Sequence, residues 1–349
     1  MKYPKIAIHH VPGTFSDRWL EFCRNNHVDY QIIDCHDSNI VPALREFDIL
    51  LWHWLFNKHA EVLTAIPIIR AAEKMGLVVF PDVNTCCTYD NKVAQKYLLE
   101  SVGAPIIPSQ VFVDRSHAHE WATNADYPRV FKLSKGAGAM NVTLVRNARQ
   151  ARHLIDRSFG KGFKVNSGQV RENLARLRHA RTNACHDLMG KFKRLPRTIA
   201  NIRSVNRAFG REIGYIYFQD FVAGNSHDTR VTVIGDKAFA FRRAVRPGDF
   251  RASGSGVLDY DVSHIGTDVV QLAFSLARGL SAQSIAFDFV RDKSSKPLIC
   301  EISYCYAASA VHECPGYWDE NLEWHEEHVW PQDLILEECI KQYNGSDRR

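Results

Sequence analysis

Two hydrophobic periods alternate over the first hundred residues. "KIAIHH", "YQIID", "DILLWHW" and "LVVFPD" are apolar runs of strand length. Between them, "FSDRWLEFCRNNH" sets Phe15, Trp19, Phe22 and Cys23 on one helical face, and "AEVLTAIPIIRAAEKMG" keeps the same spacing. Strands alternating with helices imply parallel strands joined by crossovers, a small doubly wound α/β sheet. No G-x-G-x-x-G follows the first strand, so a dinucleotide fold of the usual kind is unsupported. A helix, "DNKVAQKYLLESVG", then leads through the proline-bearing "APIIPS", and a domain boundary is expected near residue 106.

Beyond that boundary the pattern changes. "YPRVFKLSKGAGAMNVTLV" predicts a strand, a glycine-containing turn and a second strand. A long stretch follows in which Val170, Leu174 and Leu177, then Leu188, Phe192 and Leu195, recur at helical spacing, with a break near Pro196. "YIYFQDFV", "DTRVTVIGD" and "KAFAFRRAV" predict antiparallel strands with short turns, and "TDVVQLAFSLARGL" a helix. The expected division is 1–106, 107–235 with an insertion at about 149–212, and 236–349.

The next stretch, "AFDFVRDKSSKPLICEIS", reads as two short apolar runs around a polar turn, a β-hairpin with one acid on each strand. A turn centred on Ser294 and Ser295 sets Asp288 opposite Glu301, with Ser303 on the same face and Phe287, Phe289 and Ile302 on the other. Directly opposed side chains lie about 4.5–5.5 Å apart at Cβ. Two carboxylates about 4 Å apart repel by roughly 4 kcal/mol at an effective dielectric near 20. A divalent cation would offset that repulsion, and oxygen ligands on a rigid edge suit Mg²⁺. A solvated face with two unrelated acids, or a register slipped by one residue, is the plainer alternative.

Composition narrows the class. Of 349 residues, 45% are hydrophobic and 24% charged, ordinary for a globular chain long enough for two or three packed units. The amino-terminal "MKYPKIAIHH" lacks a signal-peptide apolar region, and no apolar run approaches the 18 or so residues of a membrane span. Nine cysteines without CxxC pairs argue for reduced thiols and a cytoplasmic location. The net charge is +5, but residues 149–212 carry 16 Lys or Arg against 4 Asp or Glu, so the rest of the chain is acidic.

Candidate chemistry lies on both sides of that basic segment. Lys132 in "VFKLS", followed by Lys135, Gly136 and Gly138 in "KGAGAMN", can set an ammonium and backbone N–H groups around one phosphate, or form a plain turn. The GKS or GKT ending of a P-loop is missing. "YFQDFVAGNSHDTR" offers main-chain groups at a strand end for an adenine edge and acids for ribose hydroxyls, or is a polar loop. "FRRAVRPGDFRASGSG" clusters Arg242, Arg243, Arg246 and Arg251, which fit phosphate or carboxylate bidentately; Arg246 is read as a surface residue.

The order of these motifs resembles that of the ATP-grasp superfamily, with likeness to ribosomal-protein glutamate ligases and D-alanine–D-alanine ligase, over roughly residues 78 to 310. The resemblance implies a lid subdomain at 107–235 and a catalytic subdomain at 236–349, behind an N-terminal α/β domain. It implies ATP and Mg²⁺, with Lys92, Lys132, Lys135, Gly136 and Gly138 at the phosphates. Gln219, Asp220, Phe221 and Val222 would hold adenine, Asp228 ribose, and Asp288, Glu301 and Ser303 magnesium. Arg243 and Arg251 would steady the transferring phosphoryl group or the substrate carboxylate. Ser303, a weaker oxygen ligand than an amide carbonyl, stands where the family usually has Asn, and Ala139 and Asn141 stand near positions often held by glycine.

The implied reaction is ligation of a carboxylate to an amine through an acylphosphate. Replacing Asp288 by Asn or Glu301 by Gln is expected to abolish turnover and leave the fold intact. The tail "HECPGYWDENLEWHEEHVWPQDLI" is similar to that of surface-polysaccharide biosynthesis ligases, which points to a uronic acid of a polysaccharide or sugar nucleotide. His312, Cys314, His325 and His328 in that tail match no zinc spacing and are read as packing. Tyr304 and Tyr306 either line an acceptor pocket or belong to the core. The basic segment either solvates amphipathic helices or guides an anionic polymer; without interleaved aromatics to stack bases, nucleic acid is not expected. The alternative of another class is a non-catalytic polyanion-binding protein on a degenerate ATP-grasp fold.

Overall fold

The computed structural model describes residues 4–136, 141–164, 210–246, 248–252, 254 and 256–346. The chain divides into two compact units, one formed by residues 1–89, 97–105 and 224–349, the other by 90–96 and 106–223. The helices expected over Val170–Leu195 lie outside the described residues. Among those described, no helix is long and apolar enough to cross a membrane.

The first unit begins as the alternation of periods predicts. Strands β1 (Ile6–His9), β2 (Tyr30–Ile33), β3 (Ile49–Leu51) and β4 (Val78–Phe80) form one parallel sheet in the order β2-β1-β3-β4. Helices α1 (Phe15–Asn25) and α2 (His59–Lys74) make two of the crossovers. On α1, Phe15, Trp19 and Cys23 are buried four residues apart. β1, β3 and β4 are buried along their whole length, as expected of parallel strands covered on both faces.

The second unit takes in the start of α3 (Lys92–Ser101), then β5 (Ser109–Phe112), α4 (Arg115–Asn124), β6 (Arg129–Lys132), β7 (Val142–Val145) and α5 (Ala148–Phe159). The short ladder of β8 (Phe163–Lys164) with β9 (Arg211–Glu212) precedes β10 (Ile216–Asp220). β10 lies between β5 and β6, antiparallel to both. This differs from the expected grouping of "YIYFQDFV" with the two strands that follow it. Its alternation of apolar residues suits either sheet, and Phe218 settles among Trp121 and Phe131 of this unit.

The chain returns to the first unit with β11 (His227–Ile234), β12 (Lys237–Ala244), β13 (Leu258–Asp259), α6 (Thr267–Gly279), β14 (Ser284–Arg291) and β15 (Pro297–Ser303). β16 (Tyr317–Asp319), β17 (Trp324–His325) and α7 (Pro331–Ser346) complete it. The sheet runs β15-β14-β11-β12-β16-β17, with β13 paired to β12. α6 buries Val269, Val270, Ala273, Phe274, Leu276 and Ala277. Phe287 and Phe289, from the apolar side of β14, are fully buried, and truncating either to Ala costs about 3–5 kcal/mol. Gln283 ties this sheet to the first: it donates to the Val79 carbonyl at 2.8 Å and accepts from the Asp82 amide at 2.9 Å. Arg18 of α1 pairs bidentately with Asp333 of α7, at 2.8 and 2.6 Å.

Candidate active site

The hairpin carries the acids in the expected register, by a route the sequence does not show. Ala286, Phe287 and Asp288 pair with Ser303, Ile302 and Glu301, but Phe289 pairs with Ile299. Cys300 is thus the extra residue of a β-bulge. The turn is also one residue tighter than a centre at Ser294 and Ser295 requires. Asp292 Oδ1 gathers the amides of Ser294 and Lys296 at 2.8 and 2.9 Å, with Ser295 at φ 61°. The two departures cancel, and Asp288 faces Glu301.

The repulsion between those acids is met by arginines. Arg230 on β11 lies opposite Asp288 and grips it bidentately, Nε to Oδ1 at 2.7 Å and a terminal nitrogen to Oδ2 at 2.8 Å. Arg243 on β12 reaches Asp288 Oδ2 at 2.8 Å and grips Asp228, its cross-strand partner, at 2.7 and 2.5 Å. Asp228, Arg243 and Asp288 are 8%, 6% and 4% exposed, so two acids and two guanidinium groups form a buried neutral cluster across three strands.

Burial pushes the Asp288 carboxyl up, but Arg230 and Arg243 outweigh it and hold the group well below the usual carboxylate range. Asp228 moves the other way: burial raises it, aided by the Asp288 charge, and Arg243 only partly compensates. Burial works against the Arg243 cation, yet Asp288 and Asp228 raise its pKa and keep it charged.

The oxygen donors of this face suit a hard cation in kind. An ionised carboxylate offers about four lone-pair sites, and guanidinium hydrogens take three of those on Asp288, leaving one on Oδ1. Glu301 is half-buried. Ser303 Oγ donates to the Cys305 carbonyl at 2.9 Å and accepts from the Cys305 amide at 3.1 Å, so one lone pair remains there too. The set therefore fits magnesium through single oxygens rather than a bidentate Asp288.

In the second unit, the glycine turn is held by the residues at the start of α3. Lys92 donates from its backbone to the Ser134 carbonyl at 3.1 Å and from Nζ to the Gly136 carbonyl at 2.9 Å. Asp90 accepts from the Gly136 amide at 2.7 Å, and Ser134 Oγ donates to Asn91 at 2.8 Å. Gly136 has φ 111°, a conformation that side chains resist. On the other flank, the Tyr215 hydroxyl accepts from the Ser134 amide at 2.6 Å and donates to Glu212, with Lys135 Nζ at 3.9 Å from the same carboxylate. Lys132 ends β6, 9% exposed, in register with Tyr217 and Val142. Lys92, Lys132, Lys135 and Gly136 are thus brought together; Gly138 lies outside the described residues.

Gln219 and Asp220 close β10. Gln219 is 4% exposed and donates to Ser109 Oγ at 3.2 Å; Asp220 pairs with Arg129 across the ladder. Phe221 and Val222 follow just past the strand, half-buried. Arg251 pairs with Asp249, at 2.9 Å from Nε and 2.7 Å from a terminal nitrogen.

Tyr304 and Tyr306 belong to the core: the first donates to the Trp54 carbonyl at 2.8 Å, the second meets Ser284 Oγ at 2.6 Å. Of the tail residues, His312 stacks on Trp330 with ring centres 3.9 Å apart, His325 stacks on Tyr317, and Cys314 is buried. None of the described cysteines forms a disulfide. Arg230 was not among the sequence candidates. Its signal was present: in "HDTR" it stands two residues after Asp228, hence on the same strand face.

No protein-family model matches the sequence, and no curated protein matches it. Solved structures do match. Biotin carboxylase from Campylobacter jejuni superposes with a TM-score of 0.59 at 14% identity, over 97% of this chain and 71% of that one. A RimK-domain ATP-grasp protein from Sphaerobacter thermophilus gives 0.55 at 11% identity, over 97% and 99%. D-cycloserine synthetase gives 0.56 at 14% identity, over 96% and 99%. These likenesses concern the fold.

Proposed function

We propose that this chain, which has the ATP-grasp fold, is an ATP-dependent ligase joining a carboxylate to an amine. The observation that carries the reading is the buried face on which Asp288 stands opposite Glu301 beside Arg230 and Arg243. Neighbours of the same fold were solved with ATP, ADP or MgADP, which supports ATP and magnesium as ligands here.

In this reading Lys92, Lys132 and Lys135, with Gly136 and Gly138, meet the phosphates. Gln219, Asp220 and the backbone of Phe221 and Val222 take the adenine. Asp288, Glu301 and Ser303 hold magnesium, which supplies charge neutralisation and Lewis acidity at the phosphates. Arg243, and Arg251 from its loop, face the transferring phosphoryl group. Asp228, both of whose oxygens meet Arg243, orients that guanidinium more readily than it accepts from ribose. A substrate carboxylate oxygen attacks the γ-phosphorus, forming an acylphosphate as the β–γ bridge breaks and ADP leaves. The amine nitrogen then attacks the acyl carbon, phosphate departs, and the amide forms with loss of a proton. Such a reaction depends mainly on positioning and charge compensation.

The acid is proposed to be a uronic acid of a polysaccharide or sugar nucleotide, and the location cytoplasmic. One observation favours a second reading, a polyanion-binding protein: the 16 cationic residues against 4 acidic ones over residues 149–212, of which 165–209 lie outside the described residues. ADP release measured against paired panels of uronic acids and amines, with hydroxylamine as trap, separates the two. Ligation predicts release that needs an acid and yields a hydroxamate with hydroxylamine. Salt-sensitive polymer binding with no ADP release under any pair would reject it.

A further inference from the structure

Two groupings of three metal-competent side chains occur among the described residues: Asp319, Glu323 and His325, and His9, Asp34 and His36. The first is a turn that satisfies itself. Asp319 Oδ1 accepts the amides of Asn321 and Glu323 at 2.9 Å each, and its other oxygen meets His325 Nε2 at 3.1 Å.

The second is built differently. His9 ends β1, and Asp34 and His36 follow β2, whose Ile33 pairs with His9. All three gather at the carboxyl edge of the parallel sheet, where open α/β sheets receive ligands. Their donor atoms lie within 4.8 Å of one another, with His9 Nδ1 3.9 Å from Asp34 Oδ1. The two imidazole rings meet edge to face, 5.2 Å between centres. Two imidazoles on one tetrahedral ion, with metal–nitrogen bonds of about 2.0–2.1 Å, have ring centres about 5 Å apart. Trp52 packs against both rings, at 5.2 and 5.6 Å, and gives the group an apolar wall.

His36 is also oriented from behind. Its Nδ1 lies 3.4 Å from Thr64 Oγ1, and Thr64 gives its own hydroxyl proton to the Ala60 carbonyl at 2.8 Å. Toward His36, Thr64 therefore accepts, which puts the proton on Nδ1 and leaves the Nε2 lone pair open, as in metal-binding histidines. His9 Nδ1 accepts from the Cys35 amide at 3.0 Å, so an ion at that nitrogen displaces one hydrogen bond within the 34–36 loop.

We propose that His9, Asp34 and His36 bind one divalent transition-metal ion of the zinc class, at a site distinct from the acids of the hairpin. Two imidazoles and a carboxylate suit zinc better than magnesium, which favours oxygen alone. Three protein donors leave a fourth position for water or a substrate atom.

Tag-free protein, stripped with a chelator and without nucleotide, is titrated with Co²⁺, whose visible absorption reports coordination, and then with Zn²⁺. The expected result is one equivalent of Co²⁺ with a visible band that Zn²⁺ abolishes. Asp34→Asn and His36→Ala, both at exposed positions, each weaken binding by at least about tenfold, and Thr64→Val by less, while metal-free thermal melts stay unchanged. Glu301→Gln leaves the affinity as it was. No Co²⁺ binding by the wild type, or equal affinity in an Asp34→Asn/His36→Ala double variant, would overturn the site.

Discussion

The two units hold the charges of their candidate residues in opposite ways. On the sheet face of the first unit, Asp228, Arg230, Arg243 and Asp288 neutralise one another through five hydrogen bonds of 2.5–2.8 Å. In the second unit, the glycine turn is held through its own backbone amides and carbonyls, by Asp90, Lys92 and Tyr215. A buried ion cluster fails badly when one member is lost, because the remaining charge stays buried. A turn held through several backbone groups tolerates the loss of one side chain better than such a cluster does. Substitutions in the cluster of the first unit should therefore show first as lost stability, and those beside the turn of the second unit as lost nucleotide affinity.

The widest effect is expected from Asp288→Asn. It leaves Arg230 and Arg243 facing one ionised partner, so denaturant unfolding should show a loss of about 3–5 kcal/mol together with loss of turnover. This replaces the expectation from sequence that the variant keeps its fold unharmed. A stability equal to wild type would break the comparison.

Glu301→Gln separates the roles, because Glu301 is half-buried and glutamine keeps its size while removing the charge. Its stability should stay within about 1 kcal/mol of wild type, while magnesium-dependent turnover falls at least about hundredfold. A smaller step follows for Lys132→Met: loss of a charge-assisted contact worth about 1.5–3 kcal/mol should raise the Kd for ATP at least tenfold.

The mildest effect is the dependence on pH. Asp288 titrates below its unfolded value of 3.8, so its contribution is present above about pH 4 and lost as pH falls toward the lower folded-state value. Asp228 has the opposite sign: its raised value favours the folded state only while it is protonated, and that contribution fades as pH rises. Urea midpoints should fall below about pH 4 in wild type and fall less in Asp288→Asn. Parallel curves would show that the cluster does not set the acid limb.

Much of this was legible in the chain, for reasons that also mark where it stopped. The parallel sheet was visible because β1, β3 and β4 are continuous apolar runs, and α1 because its buried residues recur every four positions. The opposition of Asp288 and Glu301 was reached through a turn one residue too long and a bulge not foreseen. Cys300 carries neither glycine nor proline to mark that bulge. Sheet membership of β10 was not legible, since alternation fixes a face and not a partner. Pairing was harder still. Sequence shows a need for positive charge beside Asp288, but only the registers of β11 with β12 and β14 reveal that arginines meet it. His9 and His36 lie 27 positions apart, and only the pairing of β1 with β2 makes them neighbours.

The central claim is nucleotide binding that depends on the hairpin acids. Calorimetric titration of ATP into wild type and Glu301→Gln, with and without Mg²⁺, measures it directly. Wild type should bind one ATP per chain, more tightly with Mg²⁺ than without, and Glu301→Gln should lose that difference while still binding ATP. Wild-type protein that takes up no ATP at millimolar concentration in Mg²⁺, or an undiminished Mg²⁺ effect in the variant, would contradict the account.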